Sequence, residues 1–92
     1  MHYLVTYDIS DSRIRERVSR ICLDYGLLRF QKSAFIGLLS RPTFNDMKRS
    51  LGELKIEDAD DIRFILLCTR CFGVAEQQNH RSFPELPRVI MT

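Results

Sequence analysis

Apolar and polar positions alternate in the first stretch of the chain. Tyr3-Leu4-Val5-Thr6-Tyr7-Asp8-Ile9 is rich in β-branched and aromatic residues, which predicts a strand. A period of two puts Leu4, Thr6 and Asp8 on one face and Tyr3, Val5, Tyr7 and Ile9 on the other. The second set is the more apolar and belongs to the helix-covered side, so Asp8 projects from the open face. The spacing then changes. Ile14, Val18, Ile21, Cys22 and Tyr25 form one stripe at helical intervals, predicting a helix from near Ser12 to Tyr25. Ser10, Asp11 and Ser12 offer oxygens to its free amides, and Gly26 supplies the left-handed residue that ends it. Arg13, Arg17 and Arg20 make a second stripe beside the apolar one, with Arg15 on the other flank.

Leu28 to Leu39 reads as extended, with the alternation broken near Lys32-Ser33, so two short strands or one bulged strand are expected. Ser40 caps a second helix that tolerates Pro42 in its first turn. Phe44, Met47, Leu51 and Leu54 are its apolar stripe, while Lys48 and Arg49 face water. Ile62 to Cys68 is the next strand; a loop-like stretch with Pro84 and Pro87 leads to a short final strand at Val89-Ile90-Met91. The order β-α-β-β-α-β plus a tail strand is the α+β, ferredoxin-like plan, one antiparallel sheet with two helices on one face. Residues 1–78 form that domain and 79–92 the tail. A small sheet with one uncovered face must carry polar groups there or bury it, and dimerisation through it is expected.

Composition narrows the class. A chain of 92 residues, 45% hydrophobic and 28% charged, is an ordinary globular domain rather than a disordered one. No apolar run approaches the roughly 20 residues a membrane span requires. MHYLVTYDIS lacks the basic start and cleavage site of a signal peptide. Three cysteines make no disulfide framework, so a reduced, cytoplasmic setting is expected. The net charge of +2 hides two patches: +4 over residues 13–32 and −4 over residues 53–61. The first suits a polyanion and the second a basic partner; the alternative is two solvated faces.

Asp8 is the first candidate for chemistry, because it ends a strand just before a helix; its simpler role would be a turn or cap. The surrounding residues add to this. Tyr3-Leu4-Val5-Thr6-Tyr7-Asp8-Ile9-Ser10 resembles the opening of the CRISPR-associated protein two family, the small partner of the CRISPR integrase. The resemblance runs on through Arg15, Arg17 and Asp24-Tyr25-Gly26. It continues in Arg29-Phe30-Gln31-Lys32-Ser33-Ala34-Phe35-Ile36-Gly37, Ser40-Arg41-Pro42, Ile62-Arg63-Phe64 and Cys68-Thr69-Arg70-Cys71. The family often has Val and Glu where Ala34 and Ile36 stand here. The resemblance implies a ferredoxin-like homodimer acting in spacer acquisition with CRISPR-associated protein one, the integrase. Its final strand is expected to pair with the partner's sheet. It also implies metal-dependent endonuclease activity in some members, on single-stranded RNA or double-stranded DNA, with Arg15, Arg17, Arg29 and Phe35 in the site region.

Asp8 suits the dimer, since one carboxylate is too little for a divalent cation and no second lies on the same strand face. A two-fold axis beside the open face would supply a second Asp8, and two close carboxylates favour a cation between them. Magnesium, or manganese in its place, would accept two aspartates, water and a phosphate oxygen. His2 and His80 are poorly placed to act as a base. Arg13, Arg15, Arg17, Arg20 and Arg29 are candidates for duplex DNA or RNA phosphates, whose paired oxygens the planar guanidinium fork can meet. Phe35 is a candidate for core or interface packing ahead of base stacking. Cys68-x-x-Cys71 lacks partners at a zinc spacing and reads as packing at a strand end. The competing functions are a free-standing toxin-type ribonuclease on the same fold and a non-catalytic nucleic-acid-binding module.

Overall fold

The computed structural model describes residues 1–68, 70 and 71. The elements run β1 (His2–Asp8), α1 (Ser12–Asp24), β2 (Leu28–Gln31), β3 (Ala34–Leu38), α2 (Arg41–Gly52) and β4 (Asp61–Leu67). The strands form one antiparallel sheet in the order β2-β3-β1-β4, the ferredoxin-like α+β arrangement. The expected strand at 89–91 and the tail 79–92 lie outside the described residues. Among the described residues, no helix is long and apolar enough to cross a membrane.

The alternation along β1 decides the layering. Tyr3, Val5 and Tyr7 are buried at 7% exposure or less, together with Ile9 just after the strand, while Asp8 is exposed. From α1, Val18 and Cys22 meet this surface, and from α2, Phe44, Met47 and Leu51. Aromatic rings lock the layers. Tyr3 stacks on Phe44 with centroids 4.0 Å apart, and Phe44 meets Phe64 of β4 edge-on at 5.6 Å. The strand begins and ends one residue earlier than the alternation suggests, because pairing with β3 and β4 reaches back to His2.

Both helix starts follow their side-chain oxygens. Of the three candidate caps before α1, Asp11 takes the role, its Oδ1 accepting from the amides of Arg13 (2.8 Å) and Ile14 (3.3 Å). Ser40 caps α2 through the amide of Thr43. After α1, Gly26 adopts φ +88°, and the amides of Gly26 and Leu27 return to the carbonyls of Leu23 and Cys22. This is the paired closure that a left-handed glycine permits. It turns Leu27 inward against β3, where Gly37 leaves room; a methyl at Gly37 would overlap the Leu27 side chain.

The irregularity near Lys32-Ser33 is a turn between β2 and β3, with a register shift between Arg29 and Gln31. On the open face the registers line up Leu28, Ile36, Leu4 and Ile65 across all four strands. That face therefore carries an apolar row as well as polar groups; its ends Leu28 and Ile65 are 38% and 44% exposed, while Leu4 is half-buried and Ile36 is buried.

Candidate nucleic-acid interface

The end of β1, the first turns of α1 and the β2–β3 turn enclose a groove of about 590 Å³. Asp8, Arg15, Arg29 and Lys32 supply its charged groups, with Glu16, and Tyr7, Ser12, Ser19 and Ser33 add polar ones. The backbone holds its walls together. The Tyr7 amide donates to the Ser33 carbonyl at 3.0 Å, and the Tyr7 hydroxyl donates to the Lys32 carbonyl at 3.2 Å. Burial raises the Tyr7 phenol above its ordinary value, and the positive charges of Arg29 and Arg15 partly offset this.

The two groove arginines are anchored differently. Arg15 Nη1 donates to the carbonyls of Ile9 (3.0 Å) and Ser10 (3.2 Å), which fastens the β1–α1 connection. Arg29 Nη2 donates to Ser19 Oγ, and its guanidinium carbon lies 5.0 Å from the centroid of the Phe35 ring. Arg13, Arg17 and Arg20 do not line the groove. They are exposed along α1, and Arg20 makes an ion pair of 3.6 Å with Glu16 in which both side chains are more than 70% exposed. Such a pair contributes little to stability. The arginine stripe legible in the sequence thus lies outside the groove, while Arg15 from the other flank and Arg29 from β2 line it.

Phe35 has no exposed surface and stacks against Tyr7 with centroids 6.3 Å apart. It packs beneath the groove, supporting Arg29, and has no open face for a base. The sequence alone does not point to Lys32 or Ser19 as site residues. The signal for Lys32 was its place at the turn next to Arg29; for Ser19 it was a polar residue between Val18 and Cys22 on the buried side of the helix.

The acids at this end differ in their commitments. Asp11 is the cap of α1. Asp60 Oδ1 accepts from the amide of Ser10 at 3.1 Å, and its Oδ2 accepts from the amide of Glu57 at 3.3 Å. Asp61 accepts from the amide of Ile62 at 2.9 Å and from Arg63 Nε at 3.0 Å. Asp8 is exposed, and no described side chain or amide is bonded to its carboxylate. The register sets Asp61 directly across from Asp8. A second carboxylate is therefore present in the same chain, on the neighbouring strand, where the sequence pointed only to a second copy.

The cysteines lie apart from the groove. Cys22 is in the core, where burial pushes its thiol up to about 12. Cys68 and Cys71 are exposed, and the Cys71 amide donates to Cys68 Sγ at 3.3 Å. A hydrogen bond between the two thiols lowers that of Cys68, helped by the Cys71 amide, and raises that of Cys71.

Fold and groove together define a small ferredoxin-like domain whose basic cleft carries one uncommitted acid. The family described as CRISPR associated protein Cas2 matches residues 1–74. The chain is 40% identical over 75 residues to the CRISPR-associated endoribonuclease Cas2 1 of Archaeoglobus fulgidus, covering 82% of this chain and 80% of that one. It is similar to the crystal structure of Streptococcus pyogenes Cas2 at TM-score 0.74 and 32% identity, over 85% of this chain and 99% of that one. It also matches the Cas1/Cas2 endonuclease fusion of Thermoproteus tenax, 44% identical over 52 residues, which are 56% of this chain and 20% of the fusion. The chain belongs to the CRISPR-associated Cas2 family.

Proposed function

We propose that this protein is a homodimeric spacer-acquisition subunit that binds duplex DNA and the Cas1 integrase in the cytoplasm, and that it cleaves phosphodiesters with a divalent metal. One observation carries this reading: Asp8 lies uncommitted beside Arg15, Arg29 and Lys32, at the wall of a groove with several polar donors. The cations bind a phosphate backbone through charge, and Arg15, fixed by two carbonyls, meets it without rearrangement. Arg13, Arg17 and Arg20 extend the positive surface along α1.

Among the described residues no three His, Cys, Asp or Glu side chains form a ready metal cage. Magnesium needs none, since one or two carboxylates with water and substrate phosphate suffice. Asp8 fits that requirement, and Mg2+ or Mn2+ held there would polarise the phosphodiester and lower the pKa of a bound water. The exposed ends of the apolar row, Leu28 and Ile65, support pairing of two copies through the open face, which also carries Asp8. Association with Cas1 is supported by the fusion protein, which joins both in one chain. The names of the Cas2 relatives support cleavage of RNA.

The test compares wild type and Asp8→Asn, each verified as a dimer by light scattering. Cleavage of single-stranded RNA and of duplex DNA is followed with and without Mg2+, and spacer insertion is assayed with Cas1. Metal-dependent cleavage is expected to vanish in the variant while insertion survives. Unchanged cleavage would remove Asp8 from the chemistry, and a monomeric wild type would remove the dimer.

A further inference from the structure

Ser19 is a polar side chain on the buried side of α1. It follows Val18 and precedes Cys22 by one turn, both with no exposed surface, and is itself only 9% exposed. It caps neither helix, and an alanine there would satisfy the apolar surroundings without a hydroxyl to place. That hydroxyl accepts a hydrogen bond from Arg29 Nη2. The same guanidinium rests against the Phe35 ring. Arg29 is thus gripped by an acceptor and by a ring face.

The contrast with Arg15 shows what this grip does. Arg15 is held by two backbone carbonyls, which no substitution of a side chain removes. Arg29 donates instead to a side chain, the Ser19 hydroxyl, with the Phe35 ring as its other support. A guanidinium has five N–H donors, so donating one to Ser19 leaves others for a phosphate. An arginine already ordered in the free protein loses less rotamer freedom on binding than one that must be fixed by its ligand.

We infer that Ser19 is a positioning residue that pre-orders Arg29 for the phosphate backbone of duplex DNA. This rests on the reading of the groove as a nucleic-acid surface. Ser19 carries no charge and touches no phosphate; it acts through Arg29.

The experiment measures the affinity of the dimer for a fluorescein-labelled mixed-sequence duplex by anisotropy over a series of KCl concentrations. The proteins are wild type, Ser19→Ala, Ser19→Cys, Ser19→Thr, Arg29→Ala and the double variant Ser19→Ala/Arg29→Ala. Ser19→Ala weakens binding roughly 3- to 10-fold, the scale of one hydrogen bond, with the salt slope unchanged. Ser19→Cys, similar in size but a weak acceptor, behaves as alanine does, and Ser19→Thr restores binding. Arg29→Ala makes the salt slope shallower by about 0.9, one phosphate contact. In its background Ser19→Ala costs nothing further. A fold defect would instead add to the Arg29→Ala loss. Wild-type affinity in both Ser19→Ala and Ser19→Cys, or losses that multiply in the double variant, overturns the inference. If Arg29→Ala weakens binding and Ser19→Ala does not, only the role of Ser19 falls. If Arg29→Ala also binds as wild type with an unchanged slope, the groove reading falls with it.

Discussion

Two sets of charged side chains meet where β1 ends, and they are used in different ways. In the turn before β4, Asp60 ties the amides of Ser10 and Glu57 together, and Asp61 is held by Ile62 and Arg63. In the groove a few residues away, Arg15 and Arg29 are anchored while Asp8 is bonded to no described group. Carboxylates of one type, close in space, divide into those that satisfy the backbone and one that does not. An exposed acid that lines the same groove as two anchored arginines and contributes no side-chain bond to the fold is the group available for a ligand.

The sharpest way to break this contrast is to exchange the two kinds of acid. Asp8→Asn is expected to lower cleavage by about 100-fold or more, the scale of losing a group that stabilises developing charge, with the melting temperature unchanged. A melting temperature that falls with activity would mean Asp8 is structural after all. Asp60→Ala and Asp11→Ala should do the reverse. Each is expected to cost about 1 kcal/mol in urea unfolding, through lost hydrogen bonds to backbone amides, and to leave cleavage within a factor of about two. Asp61→Asn isolates the acid across from Asp8. Its exposed pairing with Arg63 contributes only a few tenths of a kcal/mol or so, so a large fall in cleavage would make Asp61 part of the site.

A pH series separates these exposed acids from the buried core. Burial raises the Cys22 thiol from 9.0 to about 12 and raises the Tyr7 phenol as well. The folded state therefore keeps protons that the unfolded chain releases. The stability from the neutral thiol is complete below pH 9 and declines as the pH climbs toward about 12. Denaturant midpoints should fall across that range, and Cys22→Ala should flatten the thiol's share of the decline at the cost of some packing.

Most of the local architecture was legible in the residues. The stripe on α1, the caps Asp11 and Ser40, the left-handed Gly26 and the burial of alternate β1 positions each depend on neighbours within a few positions. The placement of Asp8 on the open face followed from the same alternation. The groove was legible only in part. Of the five arginines the sequence points to, Arg15 and Arg29 line the cleft and Arg13, Arg17 and Arg20 do not, while Lys32 joins it from the β2–β3 turn.

By itself, the sequence determined the elements, their amphipathic faces and the family, because periodicity, capping chemistry and ordered motifs are written along the chain. Only the tertiary structure decided that Asp61 stands opposite Asp8, that Phe35 is covered, and that Ser19 grips Arg29. Strand register and helix-to-sheet packing join residues distant in sequence, and they are fixed by the collective burial of the core rather than by any local pattern.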